Sequence, residues 1–208
     1  LALSNDHAIF DYRSKNKQDL LKIDQDNALF VINLSSEKIN EQYIHYGDTY
    51  PNEVETCVLR DLPQDLETFK QTLSNIKAEK YYLVFKGQTN SYFEGIPSDE
   101  KFKQAYKALY MNQSTNIQND GMKLCEALKI KPDQLKFILN CFYELNFITM
   151  NHGIIEINKD AGKNDIQNAP LYQARKQQIE IEKTLLYNDS QSLISWIHSL
   201  LSDVEEEV

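Results

Sequence analysis

An α/β fold follows from three features of the sequence. Between residues 7 and 86 short β-rich runs alternate with helix-like stretches, the pattern of a mostly parallel sheet. From Lys131 to Ile157 a helix-like segment passes directly into two β-type runs around a tight turn. Beyond residue 170, apolar residues again recur at helical spacing. The expected organisation is an α/β subdomain over 1–90, a second unit over 91–160 and a C-terminal helical extension over 161–208.

Four strand candidates carry the first subdomain: His7 to Tyr12, Ala28 to Leu34, Val54 to Leu59 and Tyr81 to Phe85, each rich in aromatic and branched residues. Tyr43 to Tyr46 adds a short fifth before the Gly47-Asp48 turn. Lys17 to Lys22 and Pro63 to Ala78 are the helix candidates, the second carrying Leu66, Phe69, Leu73 and Ile76 on one side. Ligands of such sheets gather beyond the carboxyl ends of the strands, here near Arg13, Asn33, Asp61 and Lys86. The Arg13-Ser14-Lys15-Asn16-Lys17 loop contains no glycine, so neither a dinucleotide fingerprint nor a phosphate-cradling loop is present. It reads as a solvated basic turn. Asp61 reads as a capping or turn residue before Pro63, because no second carboxylate or histidine accompanies it at catalytic spacing.

Gly87-Gln88-Thr89-Asn90-Ser91 is a polar breaker, which places the domain boundary around 88–97. Ser98 suits an N-cap, and Asp99 and Glu100 complement the positive end of the helix they begin. Phe102, Ala105, Tyr106, Leu109 and Tyr110 form its apolar stripe. A second helix carries Leu124, Cys125 and Leu128. Pro132 starts a third, whose buried face is Leu135, Ile138, Leu139, Phe142 and Leu145. Phe147 to Met150 and Ile154 to Ile157 then flank Asn151-His152-Gly153, where Asn and Gly tolerate positive φ. Three helices followed by a hairpin make a winged-helix-like unit.

Asp160 to Pro170 is turn-rich. Leu171 to Tyr187 is helical in composition, with Glu180, Glu182 and Lys183 on exposed positions. Leu193, Ile194, Ile197, Leu200, Leu201 and Val204 mark a final amphipathic helix with Trp196 beside the stripe, and Asp203 to Val208 forms an acidic tail.

Composition narrows function by exclusion. A formal charge of −9 and a pI near 5.0 oppose a general electrostatic grip on nucleic acid, which draws its affinity from Lys and Arg. Cys57, Cys125 and Cys141 are odd in number, far apart and set in apolar segments, as buried reduced thiols are. His7, His45, His152 and His198 are scattered and form no metal-binding spacing. No apolar run approaches a membrane span. The chain opens on Leu, with no secretory signal, and reads as a piece of a longer protein. Lys131, Lys136, His152, Lys159 and Lys163 on the third helix and hairpin are the candidate contacts for nucleic acid or a partner, locally offset by Asp133, Glu144, Glu156 and Asp160. That helix offers Gln134 and Asn140 but no arginine for base edges, which favours protein contact over DNA reading.

Ile9 to Arg13, Phe93-Glu94-Gly95-Ile96-Pro97-Ser98 with Phe102, Phe142 to Phe147, Tyr172-Gln173-Ala174 and Glu182 to Tyr187 keep one order along the chain. In that order they resemble the C-terminal domain of the RecJ single-strand-DNA-specific exonucleases of Gram-positive type. The resemblance implies a parent enzyme that degrades single-stranded DNA from its 5′ end in recombination and repair, using Mn²⁺ or Mg²⁺. The catalytic Asp-His-His core of that family has no counterpart here, since Asp6-His7 is followed by Ala8. No catalytic residue and no cofactor is therefore assigned to this chain. The implied role is that of a cytoplasmic accessory domain contacting the rest of the exonuclease chain and single-strand-binding protein, with weak or no direct DNA binding. An auxiliary single-stranded nucleic-acid module acting through the wing is the alternative.

Overall fold

The computed structural model describes residues 7–20, 22–23, 27–36, 42–87 and 90–206. Gln88 and Thr89 of the polar breaker and the last two residues of the acidic tail lie outside them. The chain forms two compact units, one of residues 1–92 with 178–208, the other of 93–177. The stretch 161–208, expected as a single extension, is thus divided between them.

The first unit is built on a five-stranded parallel sheet in the order β1-β5-β4-β2-β3, with β1 Ala8–Asp11, β2 Ala28–Ile32, β3 Tyr43–His45, β4 Glu53–Asp61 and β5 Lys77–Lys86. Strand alternation sorts its residues between the two faces. One face carries the rows Ile9-Tyr81-Cys57-Leu29 and Asp11-Leu83-Leu59-Val31-Ile44. The other carries Phe10-Tyr82-Val58-Phe30-Tyr43. Both faces are apolar at the centre, so β2 is buried along its whole length, as a strand inside a parallel sheet must be.

Two helices cover the first face. In α2, Leu66–Ser74 (α1 being the short turn Lys17–Leu20), Phe69 and Leu73 are buried against the sheet. Leu193, Ile197 and Leu201 of the last helix, Ser190–Glu206, join the same core. The helix α2 is shorter than its composition implies. Asp65 caps it by accepting the Thr68 backbone N–H at 2.6 Å, and Asn75 closes it. Lys77-Ala78-Glu79-Lys80, good helix formers in isolation, instead pair with β4, where Ala78 sits beside Val54. Sheet pairing overrides local propensity there.

The second unit runs through α3 Ser91–Glu94, which begins just before it, α4 Asp99–Asn112, β6 Ser114–Asn116, α5 Ile117–Leu128, α6 Pro132–Glu144, β7 Ile148–Asn151 and β8 Ile154–Ile157. Ser98 caps α4 and Pro132 opens α6, as the sequence predicts. The strands form an antiparallel sheet in the order β6-β8-β7, packed through Ile148 and Ile155 on a core that includes Phe102, Leu109, Ile138 and Phe142. The strand β6 has no apolar signature. Only its central Thr115 is buried, and pairing with β8 is what makes it a strand. The hairpin turn is His152-Gly153, both at positive φ (50° and 80°), with Asn151 paired to Ile154. Thus His152, not Asn151, takes the left-handed conformation that a two-residue turn of the favoured hand demands.

The helix α7, Pro170–Ile181, passes from one unit into the other, and Glu182–Leu186 continues it as a π turn. The last helix is α8. The extra residue of a π turn rotates the register, and Glu182, expected on the exposed side, is completely buried with its Oε1 accepting the Tyr92 N–H at 3.4 Å. The acidic tail is helical as far as Glu206.

Candidate functional site

The carboxyl ends of the parallel strands hold polar side chains, and those of Arg13, Asn33 and Asp61 are engaged by the fold itself. The Arg13 guanidinium donates through Nε and Nη2 to the two carboxylate oxygens of Asp11 (2.9 and 2.7 Å). Its Nη1 donates to the carbonyls of Leu185, Leu186 and Asn188 at 3.0, 3.1 and 2.9 Å. Leu185 and Leu186 end the π turn and Asn188 lies in the link to α8, so one guanidinium anchors the entry to that helix. Asp61, only 6% exposed, accepts the Asn33 backbone N–H (3.0 Å), the Ser36 hydroxyl (2.5 Å) and Arg60 Nε (3.0 Å). It ties β2 to β4 and does not cap the helix after Pro63; Asp65 does. Asn33 donates its side-chain amide to the Leu62 carbonyl (3.0 Å). Lys86 remains exposed.

Hydrogen bonds from Arg13 hold the Asp11 carboxyl down to about 2 from its ordinary 3.8, against desolvation, which pushes it up. A carboxyl whose folded pKa is depressed stabilises the fold above its unfolded value of about 3.9 and loses that contribution as pH falls toward about 2. With solvent screening allowed for, the loss is about 1–2 kcal/mol. Acid titration of stability should therefore fall between pH 4 and 2, and Asp11→Asn should flatten that step. An unchanged acid profile in the variant would refute the assignment.

A different kind of surface lies within the second unit. The helices α5 and α6 and the β7–β8 hairpin enclose an open groove of about 440 Å³. From α5 come Ile117, Gly121, Met122 and Cys125; from α6 come Pro132, Leu135, Lys136, Leu139 and Asn140; from the hairpin come Met150, His152, Gly153 and Ile155. The helical contributions recur at three- and four-residue intervals because each helix turns one flank to the groove and the neighbouring flank to the core. Leu135 and Leu139 serve both. Met122 is 61% exposed, a large apolar side chain in solvent.

Of the residues singled out from the sequence, Lys136 and His152 line this groove. Lys131 is the N-cap residue immediately before α6, where its backbone N–H donates to Gln134 Oε1 (2.9 Å), with its side chain exposed. Lys159 and Lys163 follow the hairpin, exposed and outside the groove lining. Met122 and Met150 were not recognisable as site residues; a methionine on an amphipathic helix or strand reads as core. Among the described residues no three His, Cys, Asp or Glu side chains come together as a metal-binding group. The three cysteines are free and buried, and burial pushes the Cys141 thiol up to about 12. Among the described residues no helix is long and apolar enough to cross a membrane.

Comparison with known proteins places these features in a family context. The family model described as single-strand DNA-specific exonuclease, C terminal domain, matches residues 8–197. The single-stranded-DNA-specific exonuclease RecJ of Bacillus subtilis (strain 168) is 24% identical over 149 residues, which are 72% of this chain and 19% of that protein. The match thus spans about a fifth of the relative's length. No solved structure matches.

Proposed function

Because this chain belongs to the family of C-terminal domains of single-strand DNA-specific exonucleases, we propose that it is a non-catalytic accessory domain of a RecJ-like 5′-to-3′ exonuclease acting in DNA recombination and repair. Its work is to contact protein partners, single-strand-binding protein among them. Catalysis and the Mn²⁺ or Mg²⁺ it uses belong to the parent's other segments, and the setting is cytoplasmic. The observation that carries this reading is the groove beside α6. The order α4-β6-α5-α6-β7-β8 is that of a winged helix, and we read unit 2 as a variant of that fold. In DNA readers the third helix presents polar side chains to base edges. Here α6 and the wing instead border a largely apolar trough, a surface suited to protein side chains.

The test compares the parent exonuclease with and without this segment, on naked single strands and on strands coated with single-strand-binding protein. Loss of the segment should slow degradation of coated DNA several-fold and leave naked DNA nearly unaffected. Equal rates on coated DNA would remove the proposed role. Strong, salt-dependent binding of oligonucleotides by the isolated chain, weakened by Lys136→Glu, would favour an auxiliary nucleic-acid module instead.

A further inference from the structure

Beyond the protein-contact reading, which concerns the groove, we infer that one flank of α4, with Phe147 beside it, is a stacking surface for single-stranded nucleic acid: Tyr110 takes a base, and Lys103, Lys107 and Lys159 take phosphates. None of these residues lines the groove.

Helical spacing assembles the flank. Lys103, Tyr106, Lys107 and Tyr110 recur at three- and four-residue steps on α4, which makes them neighbours, while Phe102, Ala105 and Leu109 on the adjoining flank are buried. Phe147 arrives from the link between α6 and β7, its ring 6.0 Å from that of Tyr106 at an interplanar angle of 70°. Phe142 meets Tyr106 edge-on at 5.7 Å and 84°. Tyr106 is thereby held between two rings, and Tyr110 leans on it at 6.3 Å and 30°. The end of this aromatic row stands in solvent, with Tyr110 53% exposed and Met111 beside it 73% exposed. A ring braced by its neighbour and half in water offers a π face that any unpaired base can cover.

Charge separates this surface from the other exposed aromatics. Residues 1–92 and 178–208 hold 21 Asp and Glu against 11 Lys and Arg, whereas 93–177 hold 10 against 11. The net charge of −9 thus falls on the first unit, where Phe10, 39% exposed, stacks on Tyr82. On α4 no acid occurs from Lys101 to Gln113, and Glu100 before them accepts from the Gln104 amide at 3.1 Å. Lys103, Lys107 and Lys159 are exposed, and among the described residues none of them holds a carboxylate, unlike Lys123 with Asp120 and Arg175 with Glu94. Lys159 follows Asn158, which donates its backbone N–H to the Phe147 carbonyl and its side-chain amide to the Asn146 carbonyl, both at 2.9 Å. Those two bonds bring the third cation in beside Phe147. An acidic peptide would answer the lysines alone; a single strand answers the lysines and the ring together.

The probe is fluorescein-labelled oligothymidine, titrated into the 208-residue chain and read by anisotropy. Binding should saturate at low salt and weaken as salt rises with a log–log slope of about −2, as three lysines on a single strand give. Tyr110→Ala and Lys107→Glu, both at exposed positions, should each weaken it roughly tenfold, while Lys136→Glu in the groove should change it by less than about twofold. Tyr110→Trp should keep the affinity, and the emission of the introduced indole should be quenched as a base stacks on it. A duplex of the same length, whose bases already stack on one another, should bind several-fold more weakly. No saturable binding, a duplex that binds as tightly as the single strand, full affinity in Tyr110→Ala, equal losses from Lys136→Glu and Lys107→Glu, or unquenched indole emission would each overturn the assignment. Displacement by polyglutamate as effective as that by unlabelled oligothymidine would overturn it in favour of an acidic protein segment.

Discussion

Arg13→Ala should lower the stability of the first unit by about 3 kcal/mol, among the largest effects available from a polar residue in this chain. The Arg13 side chain is 13% exposed and its guanidinium makes five hydrogen bonds, two to Asp11 and three to carbonyls between the end of the π turn and α8. Truncation removes the cation paired with Asp11 and one donor from each of three carbonyls at the approach to α8. A buried pair broken on one side costs about 3–5 kcal/mol, and the partial exposure of Asp11 brings the figure to the lower end. Arg13→Lys should recover little, since a single ammonium cannot bridge a carboxylate and three carbonyls with the geometry of a planar fork. Urea unfolding followed by Trp196 fluorescence reads the effect, because Trp196 lies on the helix that Arg13 anchors. A loss below about 1 kcal/mol would mean that the carbonyls find water at no cost.

Phe69→Ala should cost about 3–5 kcal/mol. The ring is fully buried on α2 and stacks on Trp196 at 5.9 Å with an interplanar angle of 12°. It meets Phe85 nearly edge-on at 5.9 Å and Tyr46 at 6.3 Å. Its removal opens a cavity that joins α2, α8 and the sheet, and backbone anchored in a parallel sheet collapses poorly into such a space. Trp196 then loses a stacking partner, so its emission should move to longer wavelength even in the folded variant. Phe69→Leu fills part of the volume and should cost less than half as much. A variant with native emission and near-native stability would show that this aromatic cluster is not what joins the two helices.

The parallel sheet was legible because Ala28 to Ile32 and Tyr81 to Phe85 are apolar on both faces, and few structures other than a doubly covered sheet bury such runs. The start of β5 was not. Lys77 and Ala78 read as the end of a helix until Glu53 and Val54 of β4 are seen beside them. The strand β6 was illegible for a similar reason, as Ser114-Thr115-Asn116 becomes a strand only through β8. Glu182 misled because helical spacing was extrapolated through a π turn that composition does not announce. At the groove, Lys136 and His152 stood out as polar residues on an apolar helix and in a turn. The floor did not, because Leu135, Leu139 and Met150 satisfy the same periodicity whether a neighbour packs on them fully or leaves a trough. A trough is a relation between three elements, and periodicity describes one at a time.

The first unit is assembled from both ends of the chain, and α8 covers a sheet whose strands were all made before residue 90. On the ribosome, the strands and α2 emerge early but leave part of one greasy face uncovered until α8 clears the exit tunnel. The second unit, contiguous in the chain, is free to complete itself in the meantime. The portion synthesised first is the portion finished last, and during that interval the apolar surface that α8 will cover is open to neighbouring chains on the polysome.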